Sequence, residues 1–251
     1  MASENASEII SQVMILPRQG RALLVGRTRS GKTTLKDQLR SLWLRKYPTG
    51  RALIVDSKPR YRAQWTPQGF SAAKYYKKWK KDDQAYVTGS VRIPLDGFYK
   101  ASMDHAFRSG ARCVIVQGKL EEWDMLLDCV RVFYEDYSAK DGPRLIDVDE
   151  LADFFEVKKI GGIFWQALRS GGELDVSVIA GSQRPNFIPK ATLTESDRLY
   201  VFELDNQDDL KSLIRQAGYK PGIVPERPHE FIYYDKHHRA WPSGGLFTLE
   251  L

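Results

Sequence analysis

The chain has 251 residues, with 38 lysines and arginines against 32 aspartates and glutamates and a net charge of +6. Its 42% hydrophobic content suffices for a packed core, and its two cysteines, Cys113 and Cys129, exclude a disulfide-stapled scaffold. No run reaches the roughly 18 apolar residues of a membrane-spanning helix, and Met1 to Ser7 lacks the basic start and apolar run of a secretory leader.

A single soluble, cytosolic domain over residues 1–251 is therefore expected, with 1–18 as an N-terminal segment. The surplus positive charge permits an anionic partner without requiring one.

The first apolar run, Ala22 to Val25, reads as a buried strand, and it leads into Gly26-Arg27-Thr28-Arg29-Ser30-Gly31-Lys32-Thr33. This is the pattern of a glycine, four residues, then Gly-Lys-Thr between a strand and a helix. Its glycines allow the backbone to wrap phosphates, and its exposed amides and the helix N-terminus attract negative charge. Lys32 is then placed to reach the terminal phosphates of ATP, Thr33 to offer its hydroxyl to Mg²⁺, and Thr34 to extend the loop into the helix. A chain of this length carries such a pattern by accident on the order of once in a hundred. Leu35, Leu39 and Leu42 continue at helical spacing and stop before Pro48.

Ala52 to Val55 predicts a second strand, ending in Asp56-Ser57-Lys58. The stretch from Lys58 to Lys81 contains no acidic residue. Lys58, Arg60, Arg62, Lys74, Lys77, Lys78, Lys80 and Lys81 are interleaved there with Tyr61, Trp65, Tyr75, Tyr76 and Trp79. Residues 58–90 read as a basic and aromatic insertion, either a nucleic-acid contact or a solvated excursion anchored by its rings.

Cys113 to Val116 is a third strand, and Trp123, Leu126, Leu127, Val130 and Tyr134 mark a second helix. Leu145 to Val148 runs into Asp149-Glu150, a strand end suited to a metal-holding carboxylate followed by a residue that activates water. Asp147 shares a strand face with Asp149, so either it joins the metal site or the strand is less buried than its neighbours. The absence of Asp-x-x-Gly after Asp149 and of any Asn-Lys pair disfavours a GTPase.

Val176 to Ala180 and Leu199 to Leu204 complete the strands, and Asn206 caps a helix whose first turn carries Asp208 and Asp209. Gly218 supplies its stop. Phe231 to Asp235, Lys236 to His238 and Arg239 to Trp241 read as an edge hairpin within the C-terminal region 229–251. Alternating strands and helices predict an α/β fold with a mainly parallel central sheet flanked by helices.

The run Val176-Ser177-Val178-Ile179-Ala180-Gly181-Ser182-Gln183-Arg184-Pro185 resembles the sensor strand of the HerA/FtsK superfamily of DNA-pumping ATPases. Asp56-Ser57-Lys58 resembles that family's Asp-Pro-Lys, with serine for proline, and Arg169 precedes the sensor strand where the family often has an arginine. The resemblance covers about Arg21 to Leu204. In layout the chain is most similar to the compact genome-packaging ATPases of tailless membrane-containing phages and related DNA viruses.

It implies an additional-strand, RecA-like P-loop NTPase. Gln183 would sense the γ-phosphate or attacking water, and Arg169 would reach a neighbour's site as a finger, with Arg184 and Arg198 as rivals. It further implies a ring of five or six copies, double-stranded DNA as substrate, and a capsid vertex or portal protein as partner. No direct membrane insertion is expected, and the implied location is the host cytoplasm or the virion vertex. Two other readings of the loop stay open: a small-molecule or nucleoside kinase, and an assembly module controlled by nucleotide.

Overall fold

The computed structural model describes residues 15–57, 61–65, 85–118, 122–137, 139–154, 162–217, 225–235 and 246–248. Among them, ten strands form one sheet. In chain order these are β1 (Arg21–Val25), β2 (Arg51–Asp56), β3 (Tyr61–Trp65), β4 (Ala85–Arg92) and β5 (Cys113–Gln117). Then come β6 (Arg144–Val148), β7 (Val176–Ser182), β8 (Arg198–Phe202), β9 (Glu230–Asp235) and β10 (Leu246–Thr248). Their order across the sheet is β10-β9-β8-β1-β7-β6-β2-β5-β4-β3. Pairing is parallel from β8 through β3, and antiparallel between β8 and β9 and between β9 and β10.

Strands buried on both faces carry unbroken apolar runs, which is why β1, β2, β5, β6, β7 and β8 were legible as strands. Alternation sends Leu23, Val25, Leu53, Val55, Val114, Val116, Ile146 and Val148 to one face. Helices α2 (Tyr99–Arg108), α3 (Trp123–Glu135) and α4 (Ile163–Ser170) contribute to that layer through Met103, Phe133 and Phe164. Ala22, Leu24, Ala52, Ile54, Cys113, Ile115, Leu145 and Ile179 face the opposite way, onto Leu35, Leu39 and Trp43 of α1 (Lys32–Lys46).

Trp43 is fully buried, and its indole nitrogen donates to Ser177 Oγ at 3.1 Å. Burying so large a ring with its one donor satisfied anchors the far end of α1; truncating a core tryptophan costs about 3–5 kcal/mol. Arg112 closes that end by donating to the carbonyls of Leu44 at 2.7 Å and Tyr47 at 2.6 Å, groups with no partner inside the helix.

Two further helices, α5 (Lys190–Glu195) and α6 (Gln207–Ala217), flank β8. As expected, Asn206 caps α6, its Oδ1 accepting from the Asp209 amide at 2.8 Å. Gly218 lies outside the described residues.

The segment 58–90 differs from a simple insertion, because its two ends are β3 and β4, which extend the parallel sheet beyond β5. Their mixed polar and apolar sequences suit the outer part of a sheet and hide the strands from an apolar-run criterion. The edge hairpin is present as β9 and β10, with Leu246 opposite Ile232 and Thr248 opposite Glu230. Its return strand is therefore 246–248, while the expected 239–241 lies outside the described residues.

Candidate active site

The C-terminal ends of β1, β2, β6 and β7 gather at one edge of the sheet. The loop after β1 is shaped by its glycines and by its neighbours. A Cβ on Gly26 would stand 2.5 Å from the Cβ of Phe202, so glycine alone lets the loop lie against β8. The Gly26 amide donates to Ser182 O at 3.1 Å, and the Arg27 amide to Glu203 O at 2.7 Å. The loop is thus pinned to the strands on either side of β1. Gly31, with φ of 104°, turns the chain into α1 through a conformation that disfavours a side chain.

Lys32 Nζ donates to the carbonyls of Gly26 and Arg27, both at 2.6 Å, so its ammonium closes the loop from within. Thr33 and Thr34 sit partly buried in the first turn of α1, while Thr28 and Arg29 are exposed on the loop's outer side. Arg27 pairs with Glu203 at 2.7 Å.

At the end of β6, Asp149 and Glu150 are buried, with relative exposures of 6% and 4%. The backbone holds them in place: the Asp149 amide donates to Val55 O at 3.1 Å and the Leu151 amide to Gly181 O at 2.7 Å. A Cβ on Gly181 would lie 2.6 Å from Asp149 O, so β7 approaches β6 here only because residue 181 has no side chain. The Glu150 carboxylate accepts from Ser182 Oγ at 2.9 Å and from the Gln183 amide at 3.0 and 3.2 Å. Gln183 Oε1 in turn accepts from Thr28 Oγ1 at 2.8 Å. A continuous path of polar contacts therefore runs from the outer side of the loop, through Gln183, to Glu150.

Asp147 does not mark a less buried strand. It is fully buried and is an ion-pair partner. Lys36 Nζ lies 2.9 Å from Asp147 Oδ1, and Arg40 forms a second, short ion pair with Asp147. Both cations come from α1 and are themselves buried, which repays part of the cost of placing a carboxylate in the core. Lys36 also reaches Asp149 Oδ1 at 3.4 Å. The sequence held a signal for this arrangement, since Lys36 and Arg40 fall on the same helical stripe as Leu35, Leu39 and Trp43.

The contact from Lys36 also tests the fit of Mg²⁺. Thr33 stands in the first turn of α1, three residues before the Lys36 that reaches Asp149 at the end of β6. One hydroxyl, one carboxylate and phosphate oxygens are a donor set suited to Mg²⁺, which favours few protein ligands. No group of three or more His, Cys, Asp or Glu able to hold a metal occurs among the described residues. Beside this edge, buried Asp56 accepts from Gln117 Nε2 at 2.6 Å, and Ser57 Oγ donates to Asp153 Oδ2 at 3.3 Å.

Arg169 is not brought to this site. It is exposed in the last turn of α4, next to Leu168, whose carbonyl accepts from Arg21 Nη1 at 2.8 Å. Arg21 begins β1 whereas the loop follows its end, so the two lie at opposite edges of the sheet, roughly 15 Å apart at about 3.3 Å per residue. Arg198 is removed as an exposed finger, since it is buried and 3.5 Å from Asp235. Arg184 is exposed, its guanidinium 4.3 Å from the Phe187 ring centroid.

Lys58, Arg60, Lys74, Lys77, Lys78, Lys80 and Lys81 lie outside the described residues, as do Lys236 to Arg239. Arg62 contributes backbone to β3, and its side chain is outside the described set. One neighbour of the loop had no signal in the sequence: the His229 amide donates to Ser30 O at 2.9 Å.

No protein-family model and no curated protein matches the sequence. Solved structures do match. The genome packaging NTPase B204 from Sulfolobus turreted icosahedral virus 2, in complex with AMPPCP, aligns with a TM-score of 0.58 at 15% identity, over 89% of this chain and 95% of that one. Its complex with ATP-gammaS gives 0.58 at 15% identity, over 90% and 96%. The DNA-packaging ATPase B204 from Sulfolobus turreted icosahedral virus gives 0.55 at 16% identity, over 88% and 95%. No helix among the described residues is long and apolar enough to cross a membrane. Sheet order, phosphate-loop geometry and these near-full-length alignments agree on one architecture: the chain has an α/β fold of the RecA-like P-loop NTPase type.

Proposed function

We propose that the chain is an ATP-hydrolysing motor that moves double-stranded DNA, and that its task is to package a viral genome into a capsid. The observation that carries the reading is the path from Thr28 through Gln183 to Glu150, which ties the phosphate loop to a carboxylate suited to activating water. It occurs on a fold that is shared, over nearly the whole chain, with proteins described as genome-packaging NTPases.

Lys32 exchanges the carbonyls of Gly26 and Arg27 for the terminal phosphate oxygens, and the loop amides hold the remaining phosphates. Thr33 and Asp149 are the residues that would hold Mg²⁺, which supplies charge neutralisation across the phosphates. Glu150, fixed by Ser182 and the Gln183 amide, orients the attacking water and accepts its proton. The Gln183 side chain, exchanging Thr28 for the γ-phosphate, reports the state of the nucleotide to the strand that holds Glu150.

Arg169, remote from its own subunit's loop, serves a neighbouring subunit, so that the working unit is a homo-oligomeric ring of five or six copies. The basic residues from Lys58 to Lys81 supply phosphate contacts to the duplex. The ring works in the host cytoplasm or at the virion vertex, against a capsid vertex or portal protein.

The test is steady-state ATP hydrolysis with and without linear double-stranded DNA, for wild type and Glu150→Gln, with oligomeric state recorded in the same samples. Turnover is expected to rise with DNA and to fall in Glu150→Gln by at least about a hundredfold while ATP binding survives. An assembled ring that hydrolyses ATP at one rate whatever DNA is present refutes the translocase reading.

A further inference from the structure

On the side of β1 away from Glu150 lie β8 and β9, and the turn that starts β9 touches the phosphate loop. The His229 amide donates to Ser30 O at 2.9 Å. The turn closes on itself, with the Arg227 amide donating to Glu230 Oε2 at 3.1 Å and the Glu230 amide to Arg227 O at 3.2 Å. Pairing of Phe231 with Phe202 places the start of β9 beside the end of β8, at the same edge of the sheet as the loop.

Three features set His229 apart from an ordinary turn residue. Its φ is 68°, a conformation in which glycine or asparagine is the usual occupant. Its Nδ1 is buried and has no hydrogen-bond partner among the described residues. Its main chain is fixed to the one loop residue that precedes Gly31 and the first turn of α1. Strain combined with an unmet polar atom is a feature of sites that wait for a ligand.

The direction of a bound nucleotide follows from the groups already placed. Glu150 and Gln183 mark the γ end, on the β6 and β7 side of the loop, while the phosphate next to the nucleoside lies over the first turn of α1. The ribose and base then leave toward the opposite side, where the turn containing His229 stands against Ser30.

We propose that His229 is the specificity-determining residue for the nucleoside, contacting ribose or base and so distinguishing a nucleoside triphosphate from bare polyphosphate. The inference rests on the nucleotide-binding reading above and deepens it. Polyphosphate alone needs only the loop, Lys32 and the helix N-terminus. A nucleoside brings a planar ring and polar edges, which an imidazole meets by stacking or hydrogen bonding.

The experiment compares Mg-ATP with Mg-tripolyphosphate by titration calorimetry, using the full chain as wild type, His229→Gly and His229→Asn. Both substitutions keep the amide that binds Ser30 O and accept a positive φ, so they remove the imidazole without straining the turn. The expected result is about tenfold weaker ATP binding in both variants, with tripolyphosphate changed less than about twofold. Equal weakening of the two ligands shows that His229 only shapes the loop, and unchanged ATP binding shows that the nucleoside lies elsewhere; either overturns the proposal. A wild type that binds tripolyphosphate and ATP equally also overturns it while leaving phosphate binding intact. A wild type that binds neither removes the nucleotide reading itself.

Discussion

Replacing Lys36 by methionine removes one of the two cations that face Asp147 in a region closed to solvent. Methionine matches the aliphatic stem in length, so the perturbation is electrostatic rather than a cavity. Breaking a buried ion pair from one side costs about 3–5 kcal/mol, because the remaining charge keeps its desolvation penalty. Arg40 still pairs with Asp147, which puts the expected loss at the low end, about 3 kcal/mol. At about 2–4 °C per kcal/mol for a chain of this size, the melting midpoint falls by roughly 6–12 °C. Urea unfolding followed by circular dichroism gives the free energy directly. The double variant Lys36→Met with Asp147→Asn removes the stranded charge as well, and is expected to be more stable than the sum of the two single losses predicts. A single-variant loss below about 1 kcal/mol, or strict additivity in the double variant, refutes the idea that these groups act as a buried charge unit.

Gly181→Ala puts a Cβ 2.6 Å from Asp149 O, a backbone atom that cannot turn aside, so β7 must part from β6. A loss of about 1–3 kcal/mol is expected from such overpacking, together with reduced ATP turnover as Glu150 shifts from Gln183; wild-type turnover in the variant contradicts the assigned geometry. Burial pushes the Cys113 thiol up from its ordinary 9.0 to about 11 and raises that of Cys129 as well. Native protein at pH 8 should therefore leave both thiols unlabelled by a disulfide reagent, and both should react in denaturant. Between pH 9 and 11 the unfolded chain releases the Cys113 proton while the folded chain keeps it, so this thiol's contribution makes stability fall as pH rises through that window. A Cys113→Ala variant is expected to show a shallower loss there, measured by urea midpoint against pH.

The phosphate loop and the six apolar strands were legible because their signals are local: glycines at fixed spacing, and runs of β-branched residues buried on both faces. The cap at Asn206 was legible for the same reason. Asp147 stands out in an apolar strand, yet its partners lie more than a hundred residues earlier, on α1, and only the fold brings Lys36 and Arg40 across it. β3 and β4 escaped because outer strands tolerate polar residues, so the period of 2 fades. The turn around His229 gave no warning, since the contact with Ser30 is made by a backbone amide that any residue possesses. Arg169 lies near the start of β1, away from its own chain's loop, a placement that its position in the sequence does not reveal.

The charged seam between α1 and β6 also bears on how this protein can drift in sequence. An apolar contact between helix and strand accepts changes one at a time, each neighbour giving a little. Positions 36, 40 and 147 have less of that freedom, because neutralising Asp147 leaves the buried cations Lys36 and Arg40 with only their second partners, Asp149 and Asp37. A change at one of them alters the charge balance felt by the other two, so their exchange for apolar residues costs least when made together.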